Sequence, residues 1–278
     1  MSQIEWTDET WNPVTGCTRI SPGCANCYAA RMSKRLQAMG VDNYRNGFDL
    51  TLHEHVLEKP LKWKRPRKVF VNSMSDLFHR DVPTDFIGRV LDVCRRAHWH
   101  QFQILTKRTQ RLAREASDFD WPPNVWIGTS IESQDYVFRA DHLRQVEAAV
   151  RFVSFEPLIG PVHKIDLTRI EWAIVGGESG PNARPSHPDW FRQLRTICSK
   201  QQTAFFFKQY GDYAPAAPDT DERRIVRVAR RGGIRAPGDR RIRKTDAALV
   251  RVGKGNAGRL LDGQTWDAYP EVEDLKSS

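Results

Sequence analysis

The chain has 278 residues, 40% hydrophobic and 28% charged, which is enough for one large α/β domain with a tail or for two small domains, with ample material for a core. No run approaches the roughly 20 apolar residues that cross a bilayer, and Met1 to Thr10 is polar and acidic rather than basic and then apolar, so we expect a cytoplasmic protein with no membrane contact. The net charge of +9 is local: Arg223 to Lys244 holds ten basic residues and one acid, Asp239, and the rest of the chain carries 33 of each sign.

In chain order, a short strand is expected at Thr10–Thr15, directly before Cys17. A loop containing Gly16, Pro22 and Gly23 follows, then a helix from Asn26 to Met39. His53-Glu54-His55 alternates as on a strand, but two imidazoles without a third ligand are ordinary surface histidines. Further strands are predicted at Lys68–Asn72, Gln101–Thr106, Val125–Ser130, Arg151–Phe155, Trp172–Gly176 and Ala204–Gln209. Helices are predicted between them at Asp85–Arg96, Thr109–Glu115, Gln134–Val146 and Pro188–Lys200, the first opening after Pro83 and Thr84. Such alternation is the mark of βα units. Parallel strands with crossover helices are buried on both faces, so the fold class is α/β, either a doubly wound sheet or a partial or near-complete βα (TIM-like) barrel.

In either arrangement ligands gather at the C-terminal strand ends. The residues there are polar: Asn72, Ser73 and Asp76; Thr106, Lys107 and Arg108; Ser130 and Glu132; Glu156; Gly177, Glu178 and Ser179; Lys208 and Gln209. Lys107, Arg108 and Lys208 suit a carboxylate or phosphate, and Glu132 and Glu156 suit ribose hydroxyls or protons, unless they pair with cations in structural salt bridges. Gly176-Gly177-Glu178 brings backbone amides and a carboxylate to a strand end, or makes a tight turn.

Beyond Gly211 the alternation stops. Residues 1–211 are read as the barrel, 212–249 as a basic flexible insertion suited to a polyanion such as nucleic acid, and 250–278 as a segment packing back on the barrel. Its expected pieces are a strand at Val250–Val252, a short helix at Asn256–Leu261 and an aromatic anchor at Trp266–Pro270. Gly253-Lys254-Gly255 lacks the Ser or Thr and the earlier Gly of a phosphate loop.

Five cysteines, three of them within eleven positions, suit a reducing compartment better than a disulfide scaffold. Cys94 and Cys198 sit in helical patterns and read as buried thiols. Cys17, Cys24 and Cys27 crowd into one loop, and thiolates so placed repel unless a metal or cluster shares their charge. Spacing leaves three readings open: structural zinc, which lacks a fourth ligand; a redox Cys-x-x-Cys, which leaves Cys17 unused; and an iron–sulfur cluster with one open iron.

The run Trp11-Asn12-Pro13-Val14-Thr15-Gly16-Cys17 followed by Gly23-Cys24-Ala25-Asn26-Cys27-Tyr28-Ala29 resembles the cluster loop of radical S-adenosylmethionine enzymes, the spore photoproduct lyase-like group above all. The gap between the first two cysteines is six residues where that group has three. A longer pattern is similar to the three-Cys-motif proteins of phages and bacteria: Val71 to Phe78, Leu105 to Arg108, Gly128 to Glu132, Phe155 to Pro157, Gly176 to Gly180, Phe207 to Gln209 and Gly258 to Gly263. The resemblance implies a 4Fe-4S cluster on Cys17, Cys24 and Cys27, with Tyr28 beside it and S-adenosylmethionine at the open iron. With those cofactors, the polar strand ends give an expected cofactor and substrate cavity lined by Asn72, Ser73, Asp76, Lys107, Glu132, Glu156, Gly177 and Glu178, and the resemblance further implies a separately encoded partner protein. A base-modifying activity on nucleic acid is the expectation that joins this loop to the basic run Arg223 to Lys244.

Overall fold

A computed structural model of the protein describes residues 5–236 and 238–271, and the chain divides into two compact units. The last residues of the expected C-terminal segment, 272–278, and Pro237 of the basic run lie outside the described residues.

The first unit takes residues 5–130, 141–152 and 271. It carries β1 (Glu9–Trp11), β2 (Val14–Thr15), α1 (Tyr28–Ala38), β3 (Thr51–Leu52), β4 (Lys68–Val71), α2 (Thr84–Arg96), β5 (Gln101–Thr106), α3 (Thr109–Glu115) and β6 (Val125–Ser130). The strand expected at Thr10–Thr15 is two strands. β1 pairs in parallel with β4, whereas β2 pairs antiparallel with β3, because Pro13 has no N–H to donate to a ladder and the chain turns there. β4, β5 and β6 are parallel neighbours, and every residue of β6 is buried, as a strand covered on both faces must be. Helix α2 buries Phe86, Ile87, Val90, Leu91, Val93 and Cys94, one stripe at helical spacing. Glu54–Val56 form a 3-10 turn, with His53 just before it, rather than a strand; the two rings are 5.8 Å apart, and His53 is buried rather than a surface residue because its Nε2 is tied to Thr15 Oγ1 at 2.8 Å.

At the boundary between units, the helix expected over Gln134–Val146 is a 3-10 turn at Gln134–Tyr136 and a short α4 (Phe138–Leu143). The Gln134 side chain accepts from the N–H groups of His163 and Lys164, and this ties the first turn to a loop instead of a continuing helix. Strand β7 (Val150–Phe155) follows.

The second unit, residues 131–140 and 153–270, carries β8 (Trp172–Gly176), α5 (Pro188–Lys200) and β9 (Ala204–Gln209), with β8 and β9 parallel. Its later part holds β10 (Tyr213–Pro215), β11 (Ile225–Val228), β12 (Ile234–Arg235), β13 (Ala247–Arg251) and α6 (Lys254–Ala257). The basic run expected as an irregular insertion therefore contains paired strands: β10, β13, β11 and β12 make a four-stranded antiparallel sheet in that order. The closing aromatics pack within this unit. Tyr269 stacks on Trp172 at 4.8 Å, and the Trp266 carbonyl accepts from Phe207 N–H.

The seven-stranded sheet has the order β1-β4-β5-β6-β7-β8-β9, which is chain order without reversal. A doubly wound sheet reverses at a switch point, so this is the order of a partial βα barrel. Among the described residues no helix is long and apolar enough to cross a membrane.

Three buried histidines tie this fold to pH. His53, His79 and His100 are 5%, 1% and 1% exposed, and burial holds each below the ordinary 6.5. The unfolded chain thus binds these protons at a higher pH than the folded one. Stability rises with pH where the unfolded state holds more protons, so it is lost as pH falls below about 6.5. The urea midpoint is expected to drop between pH 7.5 and 5.5, less so in His100→Gln. A midpoint that is level or rising towards pH 5.5 overturns the assignment.

Candidate functional site

In the first unit the cysteine loop is hung on the C-terminal ends of β1 and β4. Asn12 Oδ1 accepts from Ser73 Oγ at 3.2 Å and Met74 N–H at 3.1 Å, Asn72 Oδ1 accepts from Val14 N–H, and Ser75 Oγ donates to the Val14 carbonyl. Asn72 has a φ of 59°, a conformation Asn tolerates better than most residues. Its Nδ2 is buried with no acceptor among the described residues.

Gly16 N–H donates to the Met74 carbonyl and Cys17 N–H to that of Phe48, so the segment entering the first cysteine is clamped from two sides. Gly16 has a φ of 80°, and a Cβ there would lie 2.2 Å from the Asp49 carbonyl oxygen. Cys24 ends a 3-10 turn begun by Pro22, and Cys27 caps α1. All three cysteines are free and half-buried, and Tyr28, half exposed, donates its hydroxyl to the Ser73 carbonyl. Among the described residues no three His, Cys, Asp or Glu side chains are grouped to hold a single metal ion.

A chain of charged groups reaches this loop from β4 and β5. Asp76 is 7% exposed; its Oδ1 accepts from Thr106 Oγ1 at 2.7 Å and Phe78 N–H at 3.0 Å, and its Oδ2 accepts from Lys107 N–H at 3.0 Å. Arg108 Nε lies 3.8 Å from Asp76 Oδ2, and its Nη2 donates to Cys17 Sγ at 3.6 Å and to the Thr18 hydroxyl and carbonyl. His79 Nδ1 accepts from Asp81 N–H, which leaves Nε2 to donate to Thr18 Oγ1. The strand-end pattern of the sequence puts Asp76 and Lys107 in a site but gives Arg108 only a place among the cations there. Its contact with Cys17 spans 91 positions, and no local pattern signals it.

Burial pushes the Cys17 thiol up to about 11, with Asp76 adding to the rise and Arg108 opposing it. Burial also raises Cys24, but hydrogen bonds at Ile20 and Ser21 and the charge of Lys107 outweigh it and hold this thiol below its ordinary value. Cys94 and Cys198 are buried thiols; burial drives the first well up and the second to about 12. Neither has metal-ligand character.

The other expected site residues belong to the second unit, and the structure pairs each carboxylate with a cation. Glu132, fully buried, accepts from Arg139 Nη1 at 2.8 Å. Lys208 Nζ lies 2.9 and 3.0 Å from the two Glu156 oxygens. Glu178 takes a two-pronged bond from Arg184, at 2.7 and 2.6 Å, and a third from Arg184 N–H. Gly177 packs where a Cβ would meet the Tyr210 carbonyl at 2.0 Å, so this glycine serves a close backbone approach.

A family model described as "Protein of unknown function (DUF5131)" matches residues 1–270. No curated protein matches the chain. Among solved structures, a spore photoproduct lyase double mutant with bound AdoMet and dinucleoside spore photoproduct matches with a TM-score of 0.45 and 11% identity, covering 87% of this chain and 68% of that one. Spore photoproduct lyase complexed with dinucleoside spore photoproduct matches with a TM-score of 0.42 and 12% identity, covering 86% and 66%. The chain spans about two thirds of the length of these proteins.

Proposed function

Because this chain belongs to the DUF5131 family, whose description names no reaction, we propose from its own residues that it is a 4Fe-4S protein of the radical S-adenosylmethionine type acting on nucleic acid. The observation that carries the reading is the loop itself: three free, half-buried thiols at a strand-end mouth, with Arg108 on Cys17 and the charge of Lys107 acting on Cys24. Three thiolates suit a cluster with one open iron, whereas a structural zinc needs a fourth ligand.

Cys17, Cys24 and Cys27 would hold the cluster, which when bound would supply an electron and an open iron for S-adenosylmethionine. The chain's part is placement and charge. Asp76 orients Arg108, and the guanidinium offsets negative charge at Cys17. The orphaned Asn72 Nδ2 is a buried donor that an acceptor of a bound cofactor would satisfy. Ser73 holds Asn12 and Tyr28 at the loop's edge. Glu132, Glu156, Gly177 and Glu178 are proposed as cofactor- or substrate-binding residues at the strand ends of the second unit, the carboxylates held rigid by Arg139, Lys208 and Arg184. The resemblance to three-Cys-motif proteins adds a separately encoded partner to the proposal.

Anaerobic reconstitution with iron and sulfide analysis, followed by electron paramagnetic resonance of the reduced protein, tests this. The expected result is a four-iron signal that shifts on adding S-adenosylmethionine and is lost in Cys24→Ala. Stoichiometric zinc with no reconstitutable cluster overturns it.

A further inference from the structure

The antiparallel sheet β10-β13-β11-β12, with the segments that flank and join its strands, carries the chain's excess charge, and ion pairs divide the ten cations there into two sets. Arg223, Arg227, Arg230, Arg235 and Arg241 are matched by Asp221, Glu222, Asp189, Asp246 and Asp239. Arg224, Arg231, Arg240, Arg243 and Lys244 are exposed, and their side chains make no ion pair among the described residues. The sheet whose connecting segments bear them is anchored. Val228, Ala229 and Leu249 are buried, Trp190 Nε1 donates to the Arg230 carbonyl at 2.7 Å, and His187 Nε2 contacts the Thr245 carbonyl at 2.9 Å. Arg231 and Lys244 each follow or precede one of these anchor points by a single residue.

The composition of this surface selects its ligand. Nine of the ten cations are arginine, whose planar fork matches phosphate oxygens. Residues 216–246, which hold all ten cations, contain no Phe, Trp or Tyr on which an unpaired base could stack, and the sheet's one aromatic, Tyr213, is half-buried on its far edge strand β10, whereas single-strand binders depend on such platforms. Ile234 is the one large apolar side chain exposed there among the described residues, too little to anchor a membrane surface. We infer that Arg224, Arg231, Arg240, Arg243 and Lys244 form a grip on the phosphodiester backbone of duplex nucleic acid, read without regard to base sequence. This deepens the proposed action on nucleic acid and assigns the duplex, rather than an unpaired strand, to this sheet.

Fluorescence anisotropy of the full chain with labelled duplexes of two unrelated sequences, the corresponding single strands, and anionic phospholipid vesicles tests the inference. With five phosphates neutralised, the slope of log K against log salt is expected near about −4.5, a loss of about 500-fold between 50 and 200 mM salt. Both duplexes should bind alike and more tightly than the single strands. Changing all five residues to Gln should flatten the slope and remove binding, and since the five are exposed the melting temperature should hold. A tenfold preference for single strands, preference for vesicles over duplex, or an unchanged slope in the five-residue variant overturns the inference. Measuring the chain before and after cluster reconstitution separates the grip from the radical chemistry. Duplex binding without any reconstitutable cluster leaves the grip standing and removes the radical enzyme; a cluster with an unchanged five-residue variant does the reverse.

Discussion

Replacing Gly16 by Ala is expected to destabilise the protein by about 2–5 kcal/mol and, on the proposed cluster, to abolish iron loading, because the new Cβ meets both an unfavourable dihedral and neighbouring backbone. Gly16 sits at φ +80°, and the added atom would fall 2.2 Å from the Asp49 carbonyl oxygen and 2.7 Å from that of Phe48. These are backbone atoms of the segment that accepts the Cys17 N–H, so relief requires parting the strand before the first cysteine from its clamp. Gly40 supplies the control. Its φ is +71°, with nothing within 4 Å of the place a Cβ would take, so Gly40→Ala isolates the dihedral cost at about 1–2 kcal/mol. Urea denaturation followed by tryptophan fluorescence measures both. If the two variants lose the same stability, the close contact at Gly16 contributes nothing and the clamp does not hold the loop.

Asp76→Ala is expected to cost about 3–5 kcal/mol, the range for removing one partner of a buried charged network. The carboxylate is the shared acceptor of Thr106 Oγ1, Phe78 N–H and Lys107 N–H, and it faces the Arg108 guanidinium, which is itself only 12% exposed. Without it two backbone donors and the Thr106 hydroxyl lose their acceptor, and a buried cation loses its counter-charge. Asp76→Asn keeps the shape but turns an NH2 towards groups that are themselves donors, so its stability should fall between those of Asp76→Ala and the native protein. Asp81→Ala, at a carboxylate 61% exposed, should change stability by less than about 0.5 kcal/mol. The second consequence is specific to the site. Arg108 keeps its bonds to Thr18 but loses the counter-charge behind its contact with Cys17, so Asp76→Asn should alter the spectrum of the proposed reduced cluster while a comparably destabilising change elsewhere leaves it alone. A native spectrum in Asp76→Asn would show that Asp76 supports the fold only.

The two groups of expected site residues behave differently. Around the cysteines the polar residues are joined by hydrogen bonds to the loop, and one, Asn72, has a donor left over. In the other unit, Glu132, Glu156 and Glu178 are committed to cations, so their first effect is to hold strand ends in place. An ion pair of this kind also serves a site, since a rigid carboxylate is a better-aimed one.

The parallel strands are legible in the amino-acid order itself, because a strand covered on both faces is a contiguous apolar run that stops at a polar end. Gln101–Thr106, Val125–Ser130, Trp172–Gly176 and Ala204–Gln209 fold with the bounds that this pattern sets. Helices α3 and α5 are equally plain, and the crowding of Cys17, Cys24 and Cys27 is local information of the same sort. What local pattern does not convey is which distant group each side chain meets. Short antiparallel strands such as Ile225–Val228 and Ile234–Arg235 look like loop until Ala247–Arg251 pairs with the first of them and the first pairs with the second. Arg108 is one cation among many until folding sets it between Asp76 and Cys17, and Glu156 gains its partner from Lys208, 52 positions away. Burial and periodicity are encoded residue by residue along the chain, but a hydrogen bond between strand ends depends on register and on loop closure, and these exist only once the core has packed.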